Sequence, residues 1–118
     1  MMEESVRLRL QDMLEYAHLA VSILGHADES VLAANAEKRL AVVRAVEVIG
    51  EAANAIDPGR RAGMSAVPWD QIRATRNRLI HNYGRIDLGI LVDTVRNHVP
   101  PRIVELERIL KSDPEAEG

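Results

Sequence analysis

Cysteine and phenylalanine are missing from this chain, and of its 15 lysines and arginines only Lys38 and Lys111 are lysine. Without cysteine there are no disulfides and no thiolate metal sites. With one Trp, two Tyr and no Phe, a core must come from Ala, Leu, Val and Ile, side chains that interdigitate well between packed helices. No apolar run approaches the roughly 20 residues that a membrane span needs. The N-terminal MMEESVRLRL lacks the apolar stretch of a secretory signal, so a cytoplasmic protein with no membrane contact is expected. Strand-like alternation and internal repeats are absent too. The four histidines show no metal-ligand spacing, and neither a metal nor another cofactor is expected. A net charge of −3 argues against a surface that coats nucleic acid in general, but it leaves room for a local basic site.

What is present reads as helices. Residues 5–24 carry Leu10, Met13, Leu14, Ala17, Val21 and Leu24 at three- and four-residue steps, with Gly25 as a stop. Asp28 or Ser30 can cap a short helix over 31–34, and Asn35 a longer one from 36 to about 56. The second has a wide stripe, from Leu40, Val42, Val43, Val46 and Ile49 to Ala52, Ala53 and Ile56, which predicts a central helix. Gly50 within it predicts close approach of another helix. Asp57-Pro58-Gly59 ends it, and residues 60–67 form a short connection with room for one helical turn. Pro68-Trp69 opens the third main helix, Trp69 being a packing anchor, and Gly84 is its expected terminator. Asp87 can cap the fourth, which Pro100-Pro101 interrupts or restarts. The expectation is all-α: a four- to five-helix up-and-down bundle in one domain, residues 1–111, followed by a short acidic, mobile tail, 112–118.

One stretch does not suit a core. Residues 73–87, RATRNRLIHNYGRID, put four arginines, a histidine, two asparagines and a tyrosine into fifteen positions. An arginine can clamp a phosphate and stabilise charge developing on it, and a histidine titrates near neutrality. That is enough to cleave RNA without a metal: His81 takes the proton of a ribose 2′-OH, the oxygen attacks the adjacent phosphate, and Arg76 stabilises the pentacoordinate state. Geometry complicates the pairing. Five residues correspond to about 140° around a regular helix, so Arg76 and His81 do not converge from one straight helix. Either the helix unwinds before Gly84, or the site is a cleft between two copies of the chain; the second is preferred. Arg44, Glu47 and Glu51 share a face of the central helix. They form either a solvated set of intrahelical ion pairs or a face from which Glu47 or Glu51 reaches the arginines.

Arg76-x4-His81-x-Tyr83, with Asn77 after the arginine, resembles the signature of the HEPN superfamily of ribonucleases, in particular the HepT toxins. VEVIGEAANAI (46–56), VPWDQIRATRNRLIHNYGRID (67–87) and LVDTVRNHVPPRIVEL (91–106) are similar to HepT segments in the same order, so the resemblance spans nearly the whole chain. It implies a homodimer that joins through the motif-bearing helices. It also implies an endoribonuclease toxin of a type VII module, acting on RNA (tRNA or mRNA) and neutralised by an MntA-like minimal nucleotidyltransferase antitoxin. Arg76 and His81 would then be catalytic, Asn77, Arg73, Arg78 and Glu51 supporting, and Tyr83 the residue that receives AMP. Asn82 departs from the pattern where relatives often carry Gly, and Pro100-Pro101 is unusual. The alternative is a HEPN dimer that binds nucleotide or RNA and docks a nucleotidyltransferase without cleaving.

Overall fold

The computed structural model describes residues 2–81 and 85–112, and of His81 the backbone alone. The elements are α1 (Glu4–Leu24), α2 (Glu29–Ala34), α3 (Ala36–Asn54), α4 (Pro58–Ala62) and α5 (Trp69–Leu79), then two short strands, β1 (Ile80–His81) and β2 (Arg85–Ile86). They are followed by α6 (Leu88–Asp93), a π-helical stretch (Thr94–His98) and α7 (Val99–Ser112). Helical backbone runs unbroken from α6 into α7, so the bundle has four long rods: α1, α3, α5 and the α6–α7 rod. Its all-α character and rod count match the reading of the sequence.

Local signals set most of the ends. Gly25, at φ 54°, closes α1 and donates its N–H to Val21 O at 3.0 Å. Asp28 accepts from Val31 N at 3.0 Å, Asn35 from Lys38 N at 3.0 Å and Asp87 from Ile90 N at 2.9 Å, each satisfying an otherwise orphaned first-turn donor. The Ser30 hydroxyl first and this Val31 N–H next hold the Asp28 carboxyl below its ordinary 3.8.

The core fixes the directions of the rods. At one end of the bundle Val6, Leu10 and Met13 of α1 meet Ile49, Ala53 and Ile56 of the α3 end, Trp69 and Ile72 of α5, and Leu106 and Leu110 of α7. At the other end Ala20 and Leu24 meet Val42 and Val46, Leu79, Leu91 and Val95. Successive rods therefore run up and down. Trp69, 8% exposed, anchors the start of α5, with its indole N–H donated to Met64 O at 2.9 Å. At Gly50 a Cβ would stand 3.7 Å from the carbonyl oxygen of Ile72, which is the close approach of α5 to α3 that the glycine predicts.

Several expectations are corrected. Helix α5 stops at Leu79, five residues before Gly84, so His81 does not lie on its last turn. Ile80 is extended (φ −98°, ψ 115°), and the chain pairs antiparallel with itself, Ile80 opposite Ile86 and His81 opposite Arg85. Two β-branched residues facing each other favour this, and Asp87 N–H returns to the carbonyl of Leu79 at 2.8 Å, closing the corner. Residues 82–84, with the expected modification site Tyr83 and the departure at Asn82, lie outside the described residues, as do residues 113–118 of the acidic tail. Ser112, placed in that tail, ends α7. Leu40 is 62% exposed and takes no part in the stripe, and on α1 Ala20 turns inward where Val21 was expected to. Pro100-Pro101 breaks nothing. The backbone widens before it, with Val99 N–H bonded five residues back to Thr94 O, and the two residues without an N–H follow in the first turn of α7.

Candidate functional site

Helix α5 presents its polar residues on two flanks. On the flank toward α3, Arg73, Arg76 and Asn77 line a groove of about 270 Å³ together with Glu47, Gly50, Glu51 and Asn54. Arg76 Nε stands 3.8 Å from Glu47 Oε2, with the arginine side chain 65% exposed and the glutamate 24% exposed. Arg73 donates its Nε–H to Asn54 Oδ1 at 3.1 Å and has Asp70 within 3.7 Å. Glu51 lines the same groove but is bonded to Arg44, one α3 residue to another, at 3.0 Å. Both halves of the sequence expectation are thus realised, by different residues: Glu51 takes the intrahelical pair and Glu47 reaches α5. Glu47 is the residue that spacing alone left unresolved. It lies one turn before Gly50, and the close crossing at Gly50 is what brings Arg76 within reach.

Arg78 goes elsewhere. Two residues beyond Arg76 it points roughly 200° away around the helix. Its Nη2 donates to Thr75 Oγ1 at 3.1 Å, in a second cavity of about 240 Å³ between α5 and the α6–α7 rod. Val46, Ile49, Ile72 and Val99 floor this cavity, and His98 and Arg102 stand at its rim. His98 Nε2 lies 3.1 Å from Asp93, whose carboxyl is held below the ordinary 3.8 by the Asn97 amide first and, against the opposing effect of burial, by His98 and Arg78 after that. Arg102 is occupied by Glu105, Nε to Oε1 at 2.6 Å, although the N–H is not aligned for a hydrogen bond.

The structure therefore brings Arg73, Arg76, Asn77 and Glu51 together and leaves Arg78 out. His81 follows at the end of α5 on β1, its backbone already turned off the helix. Tyr83 lies outside the described residues. Among the described residues no three histidine or carboxylate side chains gather as metal ligands would. The pairing of Arg76 with Glu47 is long and solvent-exposed, a kind of ion pair worth little. A phosphate entering the groove can replace it with a shorter, bidentate contact.

A family profile described as Ribonuclease HepT-like matches residues 13–109. Among curated proteins, two from Methanocaldococcus jannaschii bear the names "Putative RNase MJ1380" and "Putative RNase MJ0127". The first is 36% identical over 107 residues, 91% of this chain and 98% of the relative. The second is 33% identical over 111 residues, 94% and 92% respectively. "Probable ribonuclease HepT" of Thermococcus cleftensis is 33% identical over 73 residues, 62% of this chain and 66% of that one. No solved structure gives a significant match. With a profile match from the middle of α1 almost to the end of α7, the chain belongs to the ribonuclease HepT-like family.

Proposed function

We propose that this protein is an endoribonuclease toxin of a HepT/MntA-like type VII toxin–antitoxin module, with Arg76 and His81 as its catalytic pair. The supporting observation is the end of α5 at Leu79. On an unbroken helix Arg76 and His81 would diverge by about 140°; with His81 already on β1, that constraint is gone. His81 accepts the proton of a ribose 2′-OH as general base, and the 2′ oxygen attacks the neighbouring phosphorus. The P–O5′ bond breaks, leaving a 2′,3′-cyclic phosphate and a 5′-hydroxyl, the leaving oxygen being reprotonated. Arg76 meets the charge on the equatorial oxygens. Asn77 and Arg73 flank it in the groove and hold the phosphate's orientation.

The working unit is a homodimer in which two such grooves face each other. In one chain Arg73 and Arg76 are offset by Glu47 and Glu51; a second copy opposite would double the guanidinium density at the cleft. An MntA-like nucleotidyltransferase is the partner that silences it, transferring AMP from ATP to the Tyr83 hydroxyl with loss of pyrophosphate. The added phosphate carries negative charge to the arginines and competes for the substrate's place.

Purified protein incubated with total tRNA, beside His81→Ala prepared identically, tests the catalytic assignment. Cleavage to cyclic-phosphate ends that disappears in the variant is the expected result. Equal cleavage by both preparations would remove His81 from the mechanism. Tight RNA binding without any turnover would favour the non-cleaving nucleotide- or RNA-binding dimer. Co-expression with an MntA-like nucleotidyltransferase and ATP should add mass in whole AMP units, and Tyr83→Phe should abolish the increase.

A further inference from the structure

Arg61, on the short helix α4, is 7% exposed. Its Nε is fully buried without a hydrogen-bond partner, and no carboxylate among the described residues stands within ion-pair distance of it. Its neighbour Arg60, by contrast, is exposed and paired with Glu3. A buried donor without a partner is unfavourable, and the guanidinium it belongs to calls for an anion. Such a group is retained where something else supplies the anion.

The place it occupies says what that is. Arg61 lines an open groove of about 560 Å³ with Pro58, Val67, Pro68, Trp69, Asp70 and Arg73. Arg73 borders the catalytic groove as well, alongside Arg76. The two grooves share that one side chain. Arg76, Arg73 and Arg61 thus succeed one another along the lining of the two grooves, with Glu47 3.8 Å from Arg76 and the fully exposed Asp70 3.7 Å from Arg73. A guanidinium fork matches a phosphate in two parallel hydrogen bonds.

We propose that the Arg61 groove is a phosphate seat for the single-stranded RNA substrate, holding the backbone at a nucleotide next to the one cleaved at Arg76. The proposal rests on the ribonuclease reading and adds a footprint to it. Arg61 is a binding residue, separate from the reacting phosphate, and the strand it holds passes along α5 from the Trp69 end to the Leu79 end.

The probe is a single-stranded 2′-O-methyl oligonucleotide, which lacks the attacking hydroxyl and stays intact. Trp69 is the only tryptophan, and its ring lines the groove, so its fluorescence reports occupancy directly. The variants are Arg61→Met, which removes the charge and keeps the length, and Arg61→Lys, which keeps the charge. Arg61→Met should melt at a higher temperature than the parent, because a buried nitrogen without a hydrogen-bond partner is gone. It should bind the oligonucleotide about tenfold more weakly, and its log Kd against log salt slope should fall by roughly 0.7, the loss of one phosphate contact. Arg61→Lys should recover part of the affinity. An Arg61→Met protein that binds with unchanged affinity and slope overturns the seat while leaving the ribonuclease reading intact. So does one that melts lower and binds normally, which would make Arg61 a structural residue. If the parent neither cleaves nor binds RNA, and an acidic peptide changes Trp69 fluorescence in an Arg61-dependent way, both readings fall and the groove belongs to a protein partner.

Discussion

The two flanks of α5 use the same residue type to opposite ends. Toward α3 the arginines are open to solvent, loosely paired and grouped, with Arg73 and Arg76 lining one groove. Toward the α6–α7 rod Arg78 is bound to Thr75 over an apolar floor, beside a histidine engaged by Asp93. The difference follows from helical pitch: positions 73, 76 and 77 share a face, and position 78 does not. An arginine-rich string in a sequence is therefore two populations in space. Only the pair facing α3, each loosely set beside a carboxylate, can exchange that carboxylate for a phosphate.

The strongest way to break this contrast is to delete one arginine from each flank. Arg76→Ala should lower the cleavage rate by about 10²- to 10³-fold, the usual loss of one transition-state charge donor. Arg78→Ala should stay within a few-fold of the parent. A gel assay with a labelled tRNA decides, and equal losses would mean that both flanks serve the reaction. Next in size, Leu79→Ala removes the 1%-exposed residue that seats the end of α5 under both flanks. It should cost about 2–5 kcal/mol in urea unfolding. Gly50→Ala acts on the α3 flank alone. Its Cβ meets Ile72 O at an ordinary 3.7 Å, so the variant should gain up to about 1 kcal/mol of stability and cleave normally. The smallest effect lies on the other flank. The folded protein holds the Asp93 carboxyl below its ordinary 3.8, so its contribution is present above that value and lost as pH falls through the lower, folded value. Melting temperature should therefore drop slightly less between pH 5 and pH 3 in Asp93→Asn than in the parent.

Much of the bundle was legible because its causes are local. The apolar steps of α1 and α3, the caps at Asp28, Asn35 and Asp87, and the stop at Gly25 each act within a turn or two. The end of α5 was not, because a glycine is a stronger written signal than a pair of isoleucines six residues apart. The corner is set by Ile80 meeting Ile86 and by Asp87 reaching Leu79, contacts that exist only once the chain has turned. In the candidate site the same division holds. The arginine cluster is visible as a string, but the choice of Glu47 over Glu51 depends on where α5 crosses α3. The burial of Arg61 depends on how α4 folds against the start of α5, which no spacing records.

The π-helical stretch also sets the phase of the last rod. Leu91 and Leu110 are nineteen residues apart and both fully or nearly buried. On an unbroken α-helix they would lie about 100° apart around the axis. A π turn takes up roughly one extra residue, so nineteen steps count as about eighteen, or five whole turns. The widened turn thus realigns the two halves of the rod, and one helix can serve the core at both ends of the bundle.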